Sequence, residues 1–168
     1  VEKAPQVIDS KNHFLLDSML KDVIQKGTGR RALVMNRSDI AGKTGTTNDQ
    51  KDAWFSGYHP SIATSVWVGF DKPESLGKRE YGGKAALPIW IEYMSHQLKD
   101  LPETFYPTPE GIVSIKIDPT TGERAGNGQR NGIFEFFKEE NSPKEWTDEN
   151  PAPPQNLRNE SKTIESLF

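Results

Sequence analysis

The sequence predicts an α+β fold in which helices pack on an antiparallel sheet. Three observations carry this. Phe14, Leu15, Leu16, Met19, Leu20, Val23 and Ile24 recur at spacings of three and four within residues 11–26, forming the apolar stripe of an amphipathic helix. Residues 54–58 and 62–70 are rich in aromatic and β-branched side chains, which suit strands. His59-Pro60-Ser61 between them is short enough for a hairpin, so these strands are expected to be antiparallel neighbours.

Each element has local signals. Asp9 or Ser10 is positioned to cap the first helix, and Gly27 stands where a left-handed residue closes a helix at little cost. Gly27-Thr28-Gly29-Arg30-Arg31 reads as a tight turn with two adjacent cations. Residues 42–49 are rich in Thr and Gly and begin the strand region at Ile40. Residues 71–83, with Pro73, Gly77, Gly82 and Gly83, read as a surface loop. Pro88 opens a second helix over 88–98, where its missing N–H costs nothing. Ile112 to Ile117 alternates apolar and polar residues as a strand does, and Asp118-Pro119-Thr120-Thr121-Gly122 is a turn. Glu139, Glu140, Pro143, Pro151, Pro153 and Pro154 mark a flexible tail over 138–168, leaving 1–137 as the folded part. Trp54, Phe55, Trp67, Phe70, Trp90 and Met94 are expected in the core. With so few strands, the two helices are expected to cover one face of the sheet.

Composition removes several function classes. The 168 residues carry a formal charge of -3, so no global positive field favours nucleic acid. There is no cysteine, which excludes disulfides, CxxC zinc sites and thiol nucleophiles. His13, His59 and His96 stand far apart, and no metal or other cofactor is expected. No apolar run approaches the ~20 residues that cross a bilayer, and the first residues lack signal-peptide features. Any membrane anchor is expected outside this chain.

Lys43-Thr44-Gly45-Thr46-Thr47 carries the chemistry. On a strand, Thr44 and Thr46 present hydroxyls on one face, Lys43 supplies a compact positive charge, and Gly45 lets a substrate backbone approach. An extended peptide can lie alongside as an added strand, its carboxylate held by Thr44, Thr46 and the field of Lys43. The backbone N–H of Thr46 is a candidate oxyanion donor. A plainer alternative is an edge strand whose Lys discourages aggregation and whose Gly permits a bulge.

The surroundings are more specific. The strand continues through Asn48-Asp49, then Asp52-Ala53-Trp54-Phe55-Ser56-Gly57-Tyr58 and Val66-Trp67-Val68-Gly69. Gly27-Thr28-Gly29 precedes it, and Gly82-Gly83, Ala86, Pro88, Ile89 and Trp90 follow. In this order the chain resembles the transpeptidase domain of class A bifunctional penicillin-binding proteins over about residues 4–143. The resemblance implies the C-terminal portion of a serine β-lactamase-like fold and a peptidoglycan D,D-transpeptidase. Such an enzyme cross-links stem peptides through a serine acyl-enzyme and is acylated by β-lactams. It implies catalytic roles for Lys43 and Thr46 and substrate binding by Lys43, Thr44, Gly45, Thr46 and Thr47. It also implies a partner in the N-terminal part of the same protein and a place on the periplasmic side of the bacterial inner membrane.

Of the three motifs of such a site, Ser-x-x-Lys, Ser-x-Asn and Lys-Thr-Gly, only the third is present in a fitting place. Ser18-Met19-Leu20-Lys21 and Ser10-Lys11-Asn12 match the first two, but in reversed order and too close to the strand. Ser18 lies within the first helix, Lys21 is expected to be solvated, and Ser10 reads as a cap. Ser75-Leu76-Gly77-Lys78 falls after the strand, in a loop. Asp49 and Asp52 as a glycosidase pair find no support. The nucleophile and its lysine base are therefore expected outside this chain, which alone should be inactive and poorly soluble or unfolded. The competing reading is a noncatalytic module that captures peptide carboxylates along the 43–47 strand. A class A β-lactamase fits less well, given the Trp-rich hairpin and long tail.

Overall fold

The computed structural model describes residues 5–126 and 129–144. Most of the expected 138–168 tail lies outside the described residues. The chain forms two compact units that divide between Thr108 and Pro109.

In the first unit, α1 spans Ser10–Gln25. Asp9 alone caps it, its Oδ1 accepting from the N–H groups of Lys11 at 3.0 Å and Asn12 at 3.2 Å, while Ser10 is already helical. Gly27 is not left-handed. Its N–H donates to the Asp22 carbonyl, and a Cβ there would stand 3.0 Å from the Val23 backbone, so the position requires space rather than an unusual φ. The expected turn forms over Gly27-Thr28-Gly29, and Arg30 and Arg31 then open a 3-10 helix, Arg30–Met35, which buries Ala32 and leaves both arginines exposed.

The sheet has strand order β1-β2-β3 and is antiparallel throughout: β1 is Ala41–Thr46, β2 is Asp52–His59 and β3 is Ile62–Gly69. His59 pairs with Ile62 across the two-residue turn Pro60-Ser61, as the sequence predicts. The short α2 (Gly82–Ala85) and then α3 (Leu87–Gln97, with Pro88 in its first turn) follow.

Side chains alternate across β2, so Ala53, Phe55, Gly57 and His59 are buried on one face. Phe55 meets Trp90 of α3 edge-on, with ring centroids 5.0 Å apart, among Ile24, Ile40, Leu87, Met94 and Leu98. Trp90 Nε1 donates to the Thr64 carbonyl at 3.2 Å. A Cβ on Gly57 would lie 2.7 Å from the Trp90 ring, which explains a glycine in mid-strand.

The same alternation corrects the expected core. Trp54, Trp67 and Phe70 are 42%, 44% and 53% exposed, and of the hairpin aromatics expected in the core only Phe55 is fully buried. Trp54 and Trp67 are register partners on the face opposite Phe55, their rings 6.2 Å apart. Nor is α1 confined to the face that α3 covers: its Ile24 joins the Trp90 core there, whereas its Asp17 accepts a 2.9 Å hydrogen bond from Tyr58, a residue of the Trp54 face. The carboxylate of Asp17 is buried and also pairs with Lys21 at 2.7 Å, so Lys21 is not the freely solvated residue the sequence suggested. Burial and the adjacent Asp17 push the Tyr58 phenol well above its usual range.

A second buried carboxylate, Asp39, stands just before β1. It accepts from Arg37 Nε at 2.9 Å, Arg37 NH2 at 2.7 Å and the Thr104 N–H at 2.9 Å, and its Oδ2 lies 3.0 Å from His59 Nε2. Burial alone would raise the Asp39 carboxyl, but Arg37, Thr104 and His59 together hold it below the ordinary carboxylate range.

The second unit is a hairpin of β4 (Ile112–Ile117) and β5 (Ile133–Lys138), paired with Ile115 opposite Glu135. The expected strand 112–117 thus finds its partner here and not in the first sheet. Its partner strand, β5, adds to the elements the sequence predicts. Asp118 organises the turn after β4: its carbonyl accepts from the N–H of Gly122 at 2.8 Å, and Gly122 takes φ +74°, where glycine is favoured. The α+β class with antiparallel strands stands.

Candidate functional site

β1 is an edge strand, with no further strand beside it among the described residues. The Thr47 N–H donates to the Asp52 carbonyl at 3.1 Å, toward β2. Alternation along the strand therefore turns the N–H and C=O groups of Thr44 and Thr46 to the open edge. An extended peptide laid along this edge meets a ladder of alternate donors and acceptors.

The structure brings the five candidate residues together as follows. Thr44 and Thr46 share the Phe55 face by register, Lys43 and Gly45 the Trp54 face. Lys43 nevertheless reaches its neighbour: its Nζ donates to the Thr44 carbonyl at 2.9 Å and approaches Thr44 Oγ1 at 3.4 Å. A positive charge thus sits beside the Thr44 hydroxyl although strand parity separates the two side chains. Lys43 and Thr46 are exposed, and Thr44 and Gly45 are half-buried. No side chain on Gly45 intervenes, and a Cβ there would stand 3.2 Å from Trp54 Cβ.

Thr47 faces a different task. Its Oγ1 donates to Asp52 Oδ2 at 3.2 Å and accepts from the Asp52 N–H at 2.8 Å, while Trp67 Nε1 donates to Asp52 Oδ1 at 2.9 Å. These bonds tie the end of β1 to β2 and β3, so Thr47 closes the strand instead of offering a free hydroxyl. The chain then turns through Asp49 and Gln50, both at positive φ, and Gln50 is held by Leu76 N–H to its carbonyl at 2.8 Å. A turn is what Asn48 and Asp49 provide.

Two residues outside the candidate set contact the strand hydroxyls. Thr28 Oγ1 lies 2.8 Å from Thr44 Oγ1, and the Gly82 N–H donates to Thr46 Oγ1 at 3.1 Å. A Cβ on Gly82 would fall 2.2 Å from the Trp54 carbonyl oxygen and 2.6 Å from that of Gly45, so the backbone can approach β1 only as glycine. A Cβ on Gly83 would lie 2.9 Å from the Thr28 carbonyl oxygen. The Gly27-Thr28-Gly29 and Gly82-Gly83 clusters are visible in the sequence, but nothing in their spacing shows that both converge on one strand.

The comparisons decide the lineage. The family profile described as the penicillin binding protein transpeptidase domain matches residues 1–95, more than half of the chain. The chain belongs to the penicillin-binding protein transpeptidase family. Penicillin-binding protein 1A of Pseudomonas aeruginosa is 58% identical over 140 residues, covering 83% of this chain and 17% of that protein. Penicillin-binding protein 1A of Neisseria lactamica is 46% identical over 128 residues, or 76% of this chain and 15% of that protein. The crystal structure of penicillin-binding protein 1A from Haemophilus influenzae superposes with a TM-score of 0.79 at 39% identity, covering 88% of this chain and 23% of that one. The likeness therefore extends to the transpeptidase fold, and the chain spans about a sixth of the length of the first of these curated relatives. Among the described residues no helix is long and apolar enough to cross a membrane.

Proposed function

We propose that this chain supplies the Lys43–Thr47 strand of a serine-type peptidoglycan D,D-transpeptidase. The observation that carries the reading is the open edge of β1. On it the N–H and C=O groups of Thr44 and Thr46 are turned outward, and the ammonium of Lys43 lies over Thr44. A stem peptide, or a β-lactam in its place, lies along this edge with its carboxylate at the hydroxyls of Thr44 and Thr46 and the charge of Lys43. The Thr46 N–H is directed to where the carbonyl oxygen of the scissile bond gains charge, as one oxyanion donor. The attacking serine and the lysine that takes its proton are contributed by the N-terminal part of the transpeptidase domain. This fits the much greater length of the relatives. Lys21, in the decoy Ser-x-x-Lys, is engaged by Asp17 and does not suit the role of base. The whole protein works on the periplasmic side of the inner membrane, held there by an anchor outside this chain, with stem peptides and β-lactams as its ligands.

The test is intact mass spectrometry after incubation with benzylpenicillin, on this chain alone and on a protein that carries the whole transpeptidase domain. The expected result is an adduct on the longer protein, on a serine outside these residues, and none on this chain. Acylation of Ser18 overturns the assignment. Reversible binding of peptide carboxylates by the longer protein without any adduct favours the noncatalytic module.

A further inference from the structure

Each strand hydroxyl is held by a residue from another segment, and the direction of those bonds decides what the hydroxyl can offer a ligand. A hydroxyl has one hydrogen to donate and two lone pairs to accept with. Thr46 Oγ1 accepts from the Gly82 N–H at 3.1 Å, so its hydrogen is still available. On Thr44 the outcome depends on Thr28, whose Oγ1 lies 2.8 Å away with either oxygen able to donate. When Thr44 donates to Thr28, its only hydrogen is used, and Thr46 alone meets an anion. When Thr28 donates, the Thr44 hydrogen is free, and both hydroxyls of the strand act as donors. Lys43 Nζ, 3.4 Å from Thr44 Oγ1, is a donor only and cannot receive the Thr44 hydrogen. A carboxylate accepts only, and therefore selects the second arrangement.

We propose that Thr28 is a positioning residue that turns the Thr44 hydroxyl into a donor for the carboxylate of a bound peptide or β-lactam, as Gly82 does for Thr46. The proposal rests on the reading of β1 as a carboxylate-binding strand. Thr28 needs no contact with the ligand. Its loop is held in place against Gly83, where a Cβ would come within 2.9 Å of the Thr28 carbonyl oxygen.

The experiment compares acylation by benzylpenicillin with acylation by its methyl ester, which lacks the negative charge, in the protein carrying the whole transpeptidase domain. The acid-to-ester ratio of second-order rates is independent of how much of each sample is folded. Wild type is expected to prefer the acid. Thr28→Val and Thr28→Ala, which remove the hydroxyl and with it the bond that fixes the Thr44 rotor, are expected to lower that ratio about threefold, the loss of one orienting hydrogen bond between neutral groups while Thr44 still reaches the carboxylate. Thr28→Ser is expected to restore it. A ratio unchanged in Thr28→Val and Thr28→Ala, while Thr44→Val and Thr46→Val still lower it, overturns the role of Thr28 and leaves the strand reading intact. Equal slowing toward acid and ester also overturns it, because a purely structural role acts on both. A wild-type protein with no preference for the acid removes the strand reading, and the proposal with it.

Discussion

Arg37 and Asp39 meet fork to fork, Nε to Oδ1 at 2.9 Å and NH2 to Oδ2 at 2.7 Å, with the Asp39 side chain fully out of solvent. Arg37 also donates to the carbonyls of Leu98 at 3.2 Å and Leu101 at 2.8 Å, so the pair joins the strand that carries the lysine motif to the end of α3. Breaking a buried pair of this kind by removing one partner costs about 3–5 kcal/mol. Arg37→Ala is therefore expected to lower the thermal midpoint of the transpeptidase domain by several degrees, checked by calorimetry. A change within error would show that Thr104 and His59 suffice to hold Asp39.

The depressed Asp39 carboxyl gives this stability a pH signature. Its ionised form is favoured by the fold, so the contribution is complete above the ordinary value of 3.8 and is lost as pH falls through the lower folded value. Asp39→Asn is expected to be less stable than wild type at neutral pH and to close the gap in strong acid. Denaturant midpoints of both proteins, followed from neutrality into strong acid, measure this. A gap that stays constant would exclude Asp39 as the titrating group.

Tyr58→Phe removes the hydroxyl that donates to Asp17 at 2.9 Å. A lost hydrogen bond to a buried charge costs about 1.5–3 kcal/mol. The raised phenol also means that the neutral, donating form persists in the fold: the contribution is present below the ordinary value near 10.0 and is lost only above it, toward the higher folded value. The difference in stability between wild type and Tyr58→Phe is thus expected to stay level from neutral pH into the mildly alkaline range. A decline beginning near neutrality would contradict the assignment.

Gly82→Ala places a Cβ against the carbonyl oxygens of Trp54 and Gly45. Overpacking typically costs about 1–3 kcal/mol, and relief here requires α2 to move off β1, which breaks the bond to Thr46. Stability and the rate of acylation by benzylpenicillin are both expected to fall. Full activity in a protein that melts normally would show that the Gly82 N–H does not orient Thr46.

The parts of this fold that could be read from sequence are those set by local rules. Helix α1 announced itself through its stripe, β2 and β3 through residue type, and their turn through Pro60-Ser61. Tertiary parity was harder to read. Trp54 and Phe55 are adjacent and equally aromatic, yet only the second faces Trp90, because nothing in residue type says which parity of a strand meets a helix. Strand β5 is hard to read because its aromatic run, Ile133 to Phe137, directly precedes a tail whose composition dominates the region. At the candidate site the motif residues were legible, but their holders Thr28 and Gly82 lie 16 and 36 residues away, and only folding brings them to the strand.

The two strand hydroxyls differ in how far mutation can reach their holders. Thr46 is held by a main-chain N–H, a group that every residue except proline possesses, at a position where any added side chain collides with two carbonyls. Thr44 is held by a side chain, which a single substitution can shorten, methylate or delete. Heritable adjustment of how this strand grips an anion is therefore open at position 28 and all but closed at position 82.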